Sequence, residues 1–329
     1  MAGAVADSFG KGGALLHEMA GLRLSESTVQ RTTEEVGARV ADLLDAGVRF
    51  GPTRAWDWHR DAQGRRVAYV TVDATGTRQQ GPGGVAAEGR MAYVAGVYNP
   101  PPVDWLRPAG KVPTLQARYI AGLYALADVG PLLRRQAGQV GMDAADVWIA
   151  LTDGGNGLER FAQQNFNRAD LVLILDFYHA ASYLEKLAKA LHPQDEAAGL
   201  TQAEQWCALL KAEGGTVTLA VLREWAWPAR QSAALRAQRQ AVDDYFRNNL
   251  HRMEYPEYQA EGWQIGSGVV ESACKTVVGQ RLKGAGMRWS ESGAHTLCHV
   301  RALYRSEQGQ WEAFWQRMYA SHANVQQLN

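Results

Sequence analysis

Three carboxylates occupy positions where acidic side chains can act together. Asp73 follows the apolar run RRVAYVTV, and Asp153 follows the apolar run VWIALT. Side chains at the carboxyl ends of such strands open into the crevice where α/β sheets place ligands. Glu271 follows the Gly-Ser-Gly turn at 266–268, so it falls in the first turns of a predicted helix, whose amino end favours an ionised carboxylate. Taken one at a time, both aspartates also fit ordinary turns, because Asp and Gly favour turn geometry.

Together, the three acids predict a particular chemistry. Carboxylate oxygens are the hard ligands that Mg²⁺ prefers, and three of them leave coordination positions for water and phosphate. Two such ions, about 3.5 to 4 Å apart, would activate an attacking oxygen and stabilise a leaving oxygen in phosphoryl transfer. We therefore expect Asp73, Asp153 and Glu271 to bind two Mg²⁺ ions, or Mn²⁺ in their place.

A second acidic element, Asp176 with His179, follows the next apolar run LVLIL. These two residues either orient a metal site by hydrogen bonding or hold the strand to the helix after it, and the structural role is favoured. A zinc site is not predicted, because no cysteine or second histidine lies at ligand spacing.

Basic residues cluster after Glu271. Lys275 is placed to form an i,i+4 ion pair with Glu271, or to contact DNA. Glycines separate the next three basic residues, and glycine lets a backbone approach a phosphate chain closely. These residues are Arg281, Lys283 and Arg288. Trp289 either stacks on an unpaired base or closes the core, and the core is the favoured place for a single tryptophan.

The elements that position these residues alternate between strands and helices. Short β-branched apolar runs predict strands over 65–73, 90–98, 147–152 and 171–175, the first two separated by a Gly-rich stretch. Helices are predicted over 114–140 and 157–164 and from the last strand through Leu191. This alternation predicts an α/β sheet with helices on both faces.

The ends of the chain and the interval 195–255 are predicted to be helical. Residues 10–47 have helical spacing with Ser25 as a cap, and they form either a DNA-reading helix-turn-helix or a helical pair packed on the core. Residues 195–255 show no strand pattern, which predicts an all-helical insertion. Two further helices are predicted over 269–283 and 291–318.

Composition limits the partners of this chain. It has 329 residues, 46% of them hydrophobic, and a formal net charge of zero with pI ≈ 7.1. Because Lys and Arg supply most of the affinity for DNA, a DNA-binding chain of this charge must concentrate them locally. Three cysteines fit buried free thiols, and the absence of any long apolar run predicts a cytoplasmic protein without membrane contact.

Several segments resemble a known family, the Kra-type bacterial insertion-sequence DDE transposases related to Mutator-like elements. The segments that carry the resemblance are TVDATGT, LTDGGNGLERF, LILDFYHAASYLEKLAKAL, IGSGVVESACKTVVGQRLKGAGMRWSESGAHTLCHVRALY and WEAFWQRM. The resemblance implies an RNase H-like core, a DDE triad of Asp73, Asp153 and Glu271, and a DxxH element of Asp176 and His179. It also implies double-stranded DNA as partner, both transposon ends and target, and a homo-oligomer in the active state.

This resemblance sets the predicted domains. They are an N-terminal helical segment at 1–62, a first core part at 63–194, an all-α insertion at 195–258, and a second core part with C-terminal helices at 259–329. The 118 residues between Asp153 and Glu271 leave room for the insertion.

Three functions stay open at this point. Related transposases usually have a further N-terminal segment, often with paired cysteines, whereas here the resemblance begins almost at Met1, so we expect a short form. The leading hypothesis is an enzyme that cleaves transposon ends and joins them to target DNA. The alternatives are a nuclease that only cleaves and a truncated, noncatalytic fragment that binds DNA or regulates transposition.

Overall fold

The computed structural model describes residues 1–101, 115–155, 157–307 and 309–326, and its centre is a mixed β-sheet. The sheet order is β4-β3-β2-β5-β6, with the short β1 paired to the start of β2. β3 pairs antiparallel with both β2 and β4, whereas β5 pairs parallel with both β2 and β6. The strands are β1 His59–Arg60, β2 Arg66–Gln80, β3 Ala86–Asn99, β4 Gln116–Gly122, β5 Val147–Thr152 and β6 Val172–Leu175.

Helices flank this sheet, which confirms the predicted α/β class. They are α1 Ala2–Val5, α2 Phe9–Ala20, α3 Glu26–Asp45, α4 Leu126–Gln139, α5 Leu158–Asn165, α6 Phe177–Leu191, α7 Glu196–Glu224, α8 Ala233–Asn249, α9 Tyr255–Ala260, α10 Gly268–Ala273, α11 Gln280–Leu282, α12 Glu291–Arg305 and α13 Gln310–Gln326. No helix in the described ranges is both long and apolar enough to cross a membrane.

Both faces of the sheet are covered. Alternate residues of β2 and β5, such as Val70 and Trp148, pack against α4 and α5. Residues of the opposite parity, such as Tyr69 and Ile149, share a core with α6 and with the helices that follow it, where Phe246 is fully buried. The period of two along each strand thus assigns every side chain to one of two helical layers.

One strand prediction and one helix prediction need correction. β2 does not end at Asp73 but continues to Gln80 and pairs with β3 across the Gly-rich stretch, with an irregular register between Thr77 and Gln79. The predicted helix over 114–140 is also partly wrong, because residues 116–122 form β4 and only 126–139 are helical. Short apolar runs do not separate strand from helix by periodicity, and pairing with β3 decides the outcome here.

The interval 195–255 contributes no strand to the sheet, as predicted. Its long helix α7 departs from helical geometry at Gly214, where φ is 77°, a value that favours glycine. Helices α7 and α8 pack on α6 and join the same buried cluster as one face of the sheet. The predicted division into domains stays a prediction.

The N-terminal helices lie on the core. α3 packs against α12 so closely that a Cβ on Gly37 would lie 2.3 Å from the Thr296 carbonyl oxygen. Ser25 accepts a hydrogen bond from the Thr28 N–H and caps α3, as predicted. The packing matches the helical-pair alternative, and the DNA-reading role of α2 and α3 stays a prediction.

The C-terminal part is less regular than expected. The predicted helix over 269–283 is divided into α10, a π-helical turn over Cys274–Gly279, and α11. The predicted helix over 291–318 is two helices, because α12 ends at Arg305 and α13 begins at Gln310.

Candidate functional site

The register of the sheet places two of the predicted acids side by side. β2 and β5 pair in parallel with Val70 opposite Ala150. Asp73 and Asp153 each follow three residues after this pair, so the two positions lie level on neighbouring strands. They also share the parity of the residues that face α6, and neighbouring strands lie about 4.8 Å apart. Asp73 was predicted to end its strand, but it lies within β2, which continues past the level at which β5 ends.

A third aspartate continues this row. β5 and β6 pair Thr152 with Leu175, and the residues that follow are Asp153 and Asp176. The Asp176 N–H donates to the Thr152 carbonyl at 2.8 Å, which extends the pairing by one step. Three aspartates therefore stand at the same level across the three parallel strands.

The helix that bears Glu271 is held against this row by two hydrogen bonds. The Phe177 N–H donates to the Ile265 carbonyl at 2.8 Å, and the Ser267 hydroxyl donates to the Asp176 carboxylate. Ser267 and Asp176 are both buried. Because α10 begins directly after Ser267, these bonds fix the start of the helix and thereby the position of Glu271.

Asp73, Asp153 and Glu271 line one pocket of about 410 Å³, together with Asp176, His179, Tyr178, Ser182, Ser267, Val72 and Val270. The residues that the sequence pointed to are thus brought together from β2, β5 and α10. Within the described ranges, however, no three His, Cys, Asp or Glu side chains approach closely enough to hold a single metal ion.

Asp73 is electrostatically strained in this pocket. Burial raises its pKa, and the nearby Asp153 carboxylate raises it further. The Ala74 N–H, the Cys274 thiol and His179 act in the opposite direction, with Ala74 at 2.6 Å and the Cys274 sulfur at 3.6 Å. Neither aspartate forms an ion pair with a residue of the described ranges. The pocket therefore holds two aspartates whose charge no ion pair within the described ranges compensates.

Glu271 stands at the edge of the pocket. Its side chain is 61% exposed, and its carboxylate pairs with the Lys275 ammonium at 2.7 Å. The predicted i,i+4 pair is therefore present. To share a cation with Asp73, Glu271 must leave Lys275, which costs little because exposed pairs of this kind contribute about 0.3–0.5 kcal/mol.

Asp176 of the DxxH element has a structural role. Asp176 caps α6 by accepting the Tyr178 N–H at 2.8 Å, and it also accepts the Ser267 hydroxyl. His179 lies on the first turn of α6, with its ring centroid 5.9 Å from that of Tyr183 and 5.8 Å from that of Tyr245. The structural link that sequence analysis favoured is thus present in Asp176, while both residues also face the pocket.

The basic residues after Glu271 divide into two groups. Lys283 is exposed and donates to the Thr75 hydroxyl, and Arg288 is exposed. Their contact with DNA stays a prediction.

Arg281 and Trp289 belong to the core. Arg281 is 1% exposed, its guanidinium lies 4.4 Å from the ring centroid of Phe9, and its Nε donates to the Gly3 carbonyl at 3.1 Å. Burial lowers the pKa of Arg281 to about 10. The Trp289 indole N–H donates to the Leu282 carbonyl at 3.0 Å. The predicted phosphate contact does not fit the position of Arg281, and Trp289 occupies the core alternative.

Two further acids that precede Glu271 in the sequence, Glu257 and Glu261, lie outside the pocket. Glu261 pairs with Arg65 at 2.8 Å, next to the first residue of β2 and therefore seven residues along the strand from Asp73. Glu257 lies on α9 and does not line the pocket.

Sequence reasoning missed two features of the pocket. Ser267 was predicted only as part of the Gly-Ser-Gly turn that opens a helix, and its partner Asp176 lies 91 residues away, a separation that no local pattern reveals. Tyr178 is 69% exposed at the pocket rim and lies so close to Gly266 that a Cβ there would be 2.5 Å from its ring.

Comparison with protein-family models gives no match for this chain, and comparison with curated proteins gives no significant relative.

The hydrogen bond from Ser267 to Asp176 predicts a stability effect. Ser267→Ala leaves a buried carboxylate with one donor fewer, so we expect the free energy of unfolding to fall by about 1–3 kcal/mol in urea titration. Ser182→Ala is the matched control, because Ser182 lines the same pocket but donates only to the His179 carbonyl one turn earlier. Equal losses for the two variants would contradict the anchoring role of Ser267.

The raised pKa of Asp73 predicts a pH-dependent effect of Asp73→Asn. Below 3.8, its ordinary value, the carboxyl is protonated in both the folded and the unfolded state and costs nothing. Above its folded pKa the ionised carboxylate destabilises the fold, so Asp73→Asn should raise the free energy of unfolding at neutral pH. The gain should vanish as the pH falls below 3.8. Thermal melts across pH would test this, with exposed Asp42→Asn as comparator; a loss of stability at neutral pH would refute it.

Proposed function

We propose that this chain is a DDE transposase with an RNase H-like core, which cleaves DNA at transposon ends and transfers the freed ends into target DNA. The observation that supports it most directly is the level placement of Asp73 and Asp153 on neighbouring parallel strands, with Glu271 lining the same pocket. The Kra-type family, double-stranded DNA as partner and a homo-oligomeric active form belong to this proposal and rest on the sequence resemblance.

The donor set fits Mg²⁺ or Mn²⁺. Asp73, Asp153 and Glu271 would supply carboxylate oxygens, the hard ligands that these two ions prefer. When bound, two such ions would activate the attacking oxygen and stabilise the leaving one. Burial and, to a lesser extent, the Asp153 charge raise the pKa of Asp73, and a divalent cation between the two carboxylates would relieve their repulsion.

The protein's own residues would prepare this site in two ways. Asp176 and Ser267 hold the start of α10 against the strands, which keeps Glu271 in the lining of the pocket. Lys275 pairs with Glu271, and once Glu271 binds a cation, the Lys275 ammonium would be available beside the pocket to a DNA phosphate.

One observation favours a noncatalytic DNA-binding fragment as second candidate. Glu271 is paired with Lys275, and no three acids of the described ranges lie close enough together to hold one metal ion. If this arrangement persisted on DNA, the chain would occupy transposon ends without cutting them. A nuclease that only cleaves would use the same pocket, so products, not geometry, separate it from a transposase.

The test is an assay of the purified chain with Mg²⁺ and a labelled duplex that carries the DNA flanking its own coding sequence. We expect nicking at a defined position and joined products. We also expect each of Asp73→Asn, Asp153→Asn and Glu271→Gln to reduce cleavage by at least about 100-fold, because each removes one ligand. DNA binding measured in EDTA should persist in all three variants.

Glu261→Gln is the matched control and should cleave like the wild type, since Glu261 pairs with Arg65 away from the pocket. Cleavage without joining would leave the nuclease function. Binding without cleavage in the wild type would leave the noncatalytic fragment. Wild-type cleavage by Glu271→Gln would remove the third ligand from the account.

A further inference from the structure

The second half of the helical interval concentrates positive charge, which a neutral chain needs in one place if it binds DNA. Residues 223–252 contain six arginines against three acidic residues, whereas the whole chain has a formal net charge of zero. With Arg281 and Trp289 in the core, the segment after Glu271 has fewer side chains for DNA than its sequence suggests. Binding of DNA would therefore require a second cationic surface.

This surface is a groove of about 610 Å³ between α6, α7 and α8. Its walls include Arg223, Arg236, Arg239, Gln231, Gln240 and Trp227, with Asp243 as the one acid. Arg236 is exposed, and Arg223 pairs with Asp243 at 2.7 Å. The lining therefore keeps a net positive charge that Arg236 and Arg239 supply.

Arg239 is held in place for contact with a ligand. Its guanidinium lies 4.4 Å from the ring centroid of Trp227 and donates to the Gln231 side chain at 2.8 Å. A guanidinium stacked on a ring keeps further N–H groups at its edge, which suits a phosphate oxygen. Because Arg239 covers the Trp227 ring, the groove offers charge to a backbone and no open platform to a base.

The groove and the acid pocket are connected by α8. Tyr245, near the other end of this helix, stacks on Tyr183 of α6 with centroids 4.0 Å apart. It also touches Gly154, where a Cβ would lie 2.3 Å from its ring, and Gly154 adjoins Asp153. From Arg236 to Tyr245 the helix rises about 14 Å, which corresponds to roughly four base pairs of duplex DNA.

We propose that this groove binds the sugar–phosphate backbone of double-stranded DNA, through Arg236 and Arg239, about four base pairs from the phosphodiester in the acid pocket. The inference rests on the proposed function for the identity of the ligand. It assigns the sequence-independent part of DNA binding to the helical interval, so that the bond to be cut is presented to Asp73 and Asp153.

The experiment measures binding of a labelled 30-base-pair duplex in EDTA at several salt concentrations, for the wild type and for Arg236→Gln/Arg239→Gln. Removing two phosphate contacts should lower the slope of log affinity against log salt by about 1.8 and reduce affinity on the order of 60-fold near 0.1 M salt. Arg236→Lys/Arg239→Lys keeps both charges and should retain most of the slope.

Arg54→Gln/Arg60→Gln is the matched control, because it removes the same charge at exposed positions near the end of α4 and the start of β2. It should leave the slope unchanged. If Arg239→Gln loosens the packing around Trp227, visible in the melting temperature, Arg236→Gln alone should still lower the slope by about 0.9.

A slope in the groove variant equal to that of the wild type, or equal losses in groove variant and control, would overturn the inference. Absence of DNA binding by the wild type would do the same. Because binding is measured in EDTA, the proposed function fails separately: a wild type that binds through the groove but never cleaves DNA with Mg²⁺ would sink the catalytic proposal and leave the groove standing.

Discussion

The hydrogen bond between Ser267 and Asp176 is the contact on which the candidate site depends. It joins two segments that lie 91 residues apart, with α6, α7, α8 and α9 between them. Closing a loop of this length costs only slightly more conformational entropy than closing a shorter one, because the cost rises with the logarithm of length. A buried, charge-assisted hydrogen bond can therefore hold Ser267 where the chain comes back to the sheet. Glu271 takes its position from Ser267, because α10 begins directly after it.

The same pocket is costly to fold. Asp73 is half-buried next to Asp153, and its pKa is raised first by this burial and then by the Asp153 charge. Such an arrangement lowers stability, and natural proteins accept that loss mainly where the groups have a task. The neighbouring packing offsets it: Tyr183 stacks on Tyr245 beside His179, and α6 packs on the strands.

Sequence predicted the acids and the α/β class because both depend on local patterns. Apolar runs mark the strands whichever partner they find, and the spacing of 80 residues between Asp73 and Asp153 equals the register offset that pairs β2 with β5. The extent of β2 was missed, because the Gly-rich stretch forms strand only when β3 pairs with it. Arg281 was misjudged for a related reason: its charge and glycine neighbours resemble a phosphate-binding loop, but Phe9 and Gly3 from the other end of the chain enclose it.

The central claim is that Asp73, Asp153 and Glu271 together bind divalent cations. The most direct measurement is titration with Mn²⁺, followed by the electron paramagnetic resonance signal of the free ion, in the wild type and in the three single variants Asp73→Asn, Asp153→Asn and Glu271→Gln. The account predicts that the wild type removes Mn²⁺ from solution, that Mg²⁺ displaces it, and that each variant binds it markedly less well. Mn²⁺ binding that is the same in all four proteins, or absent from the wild type even with duplex DNA present, would contradict the account.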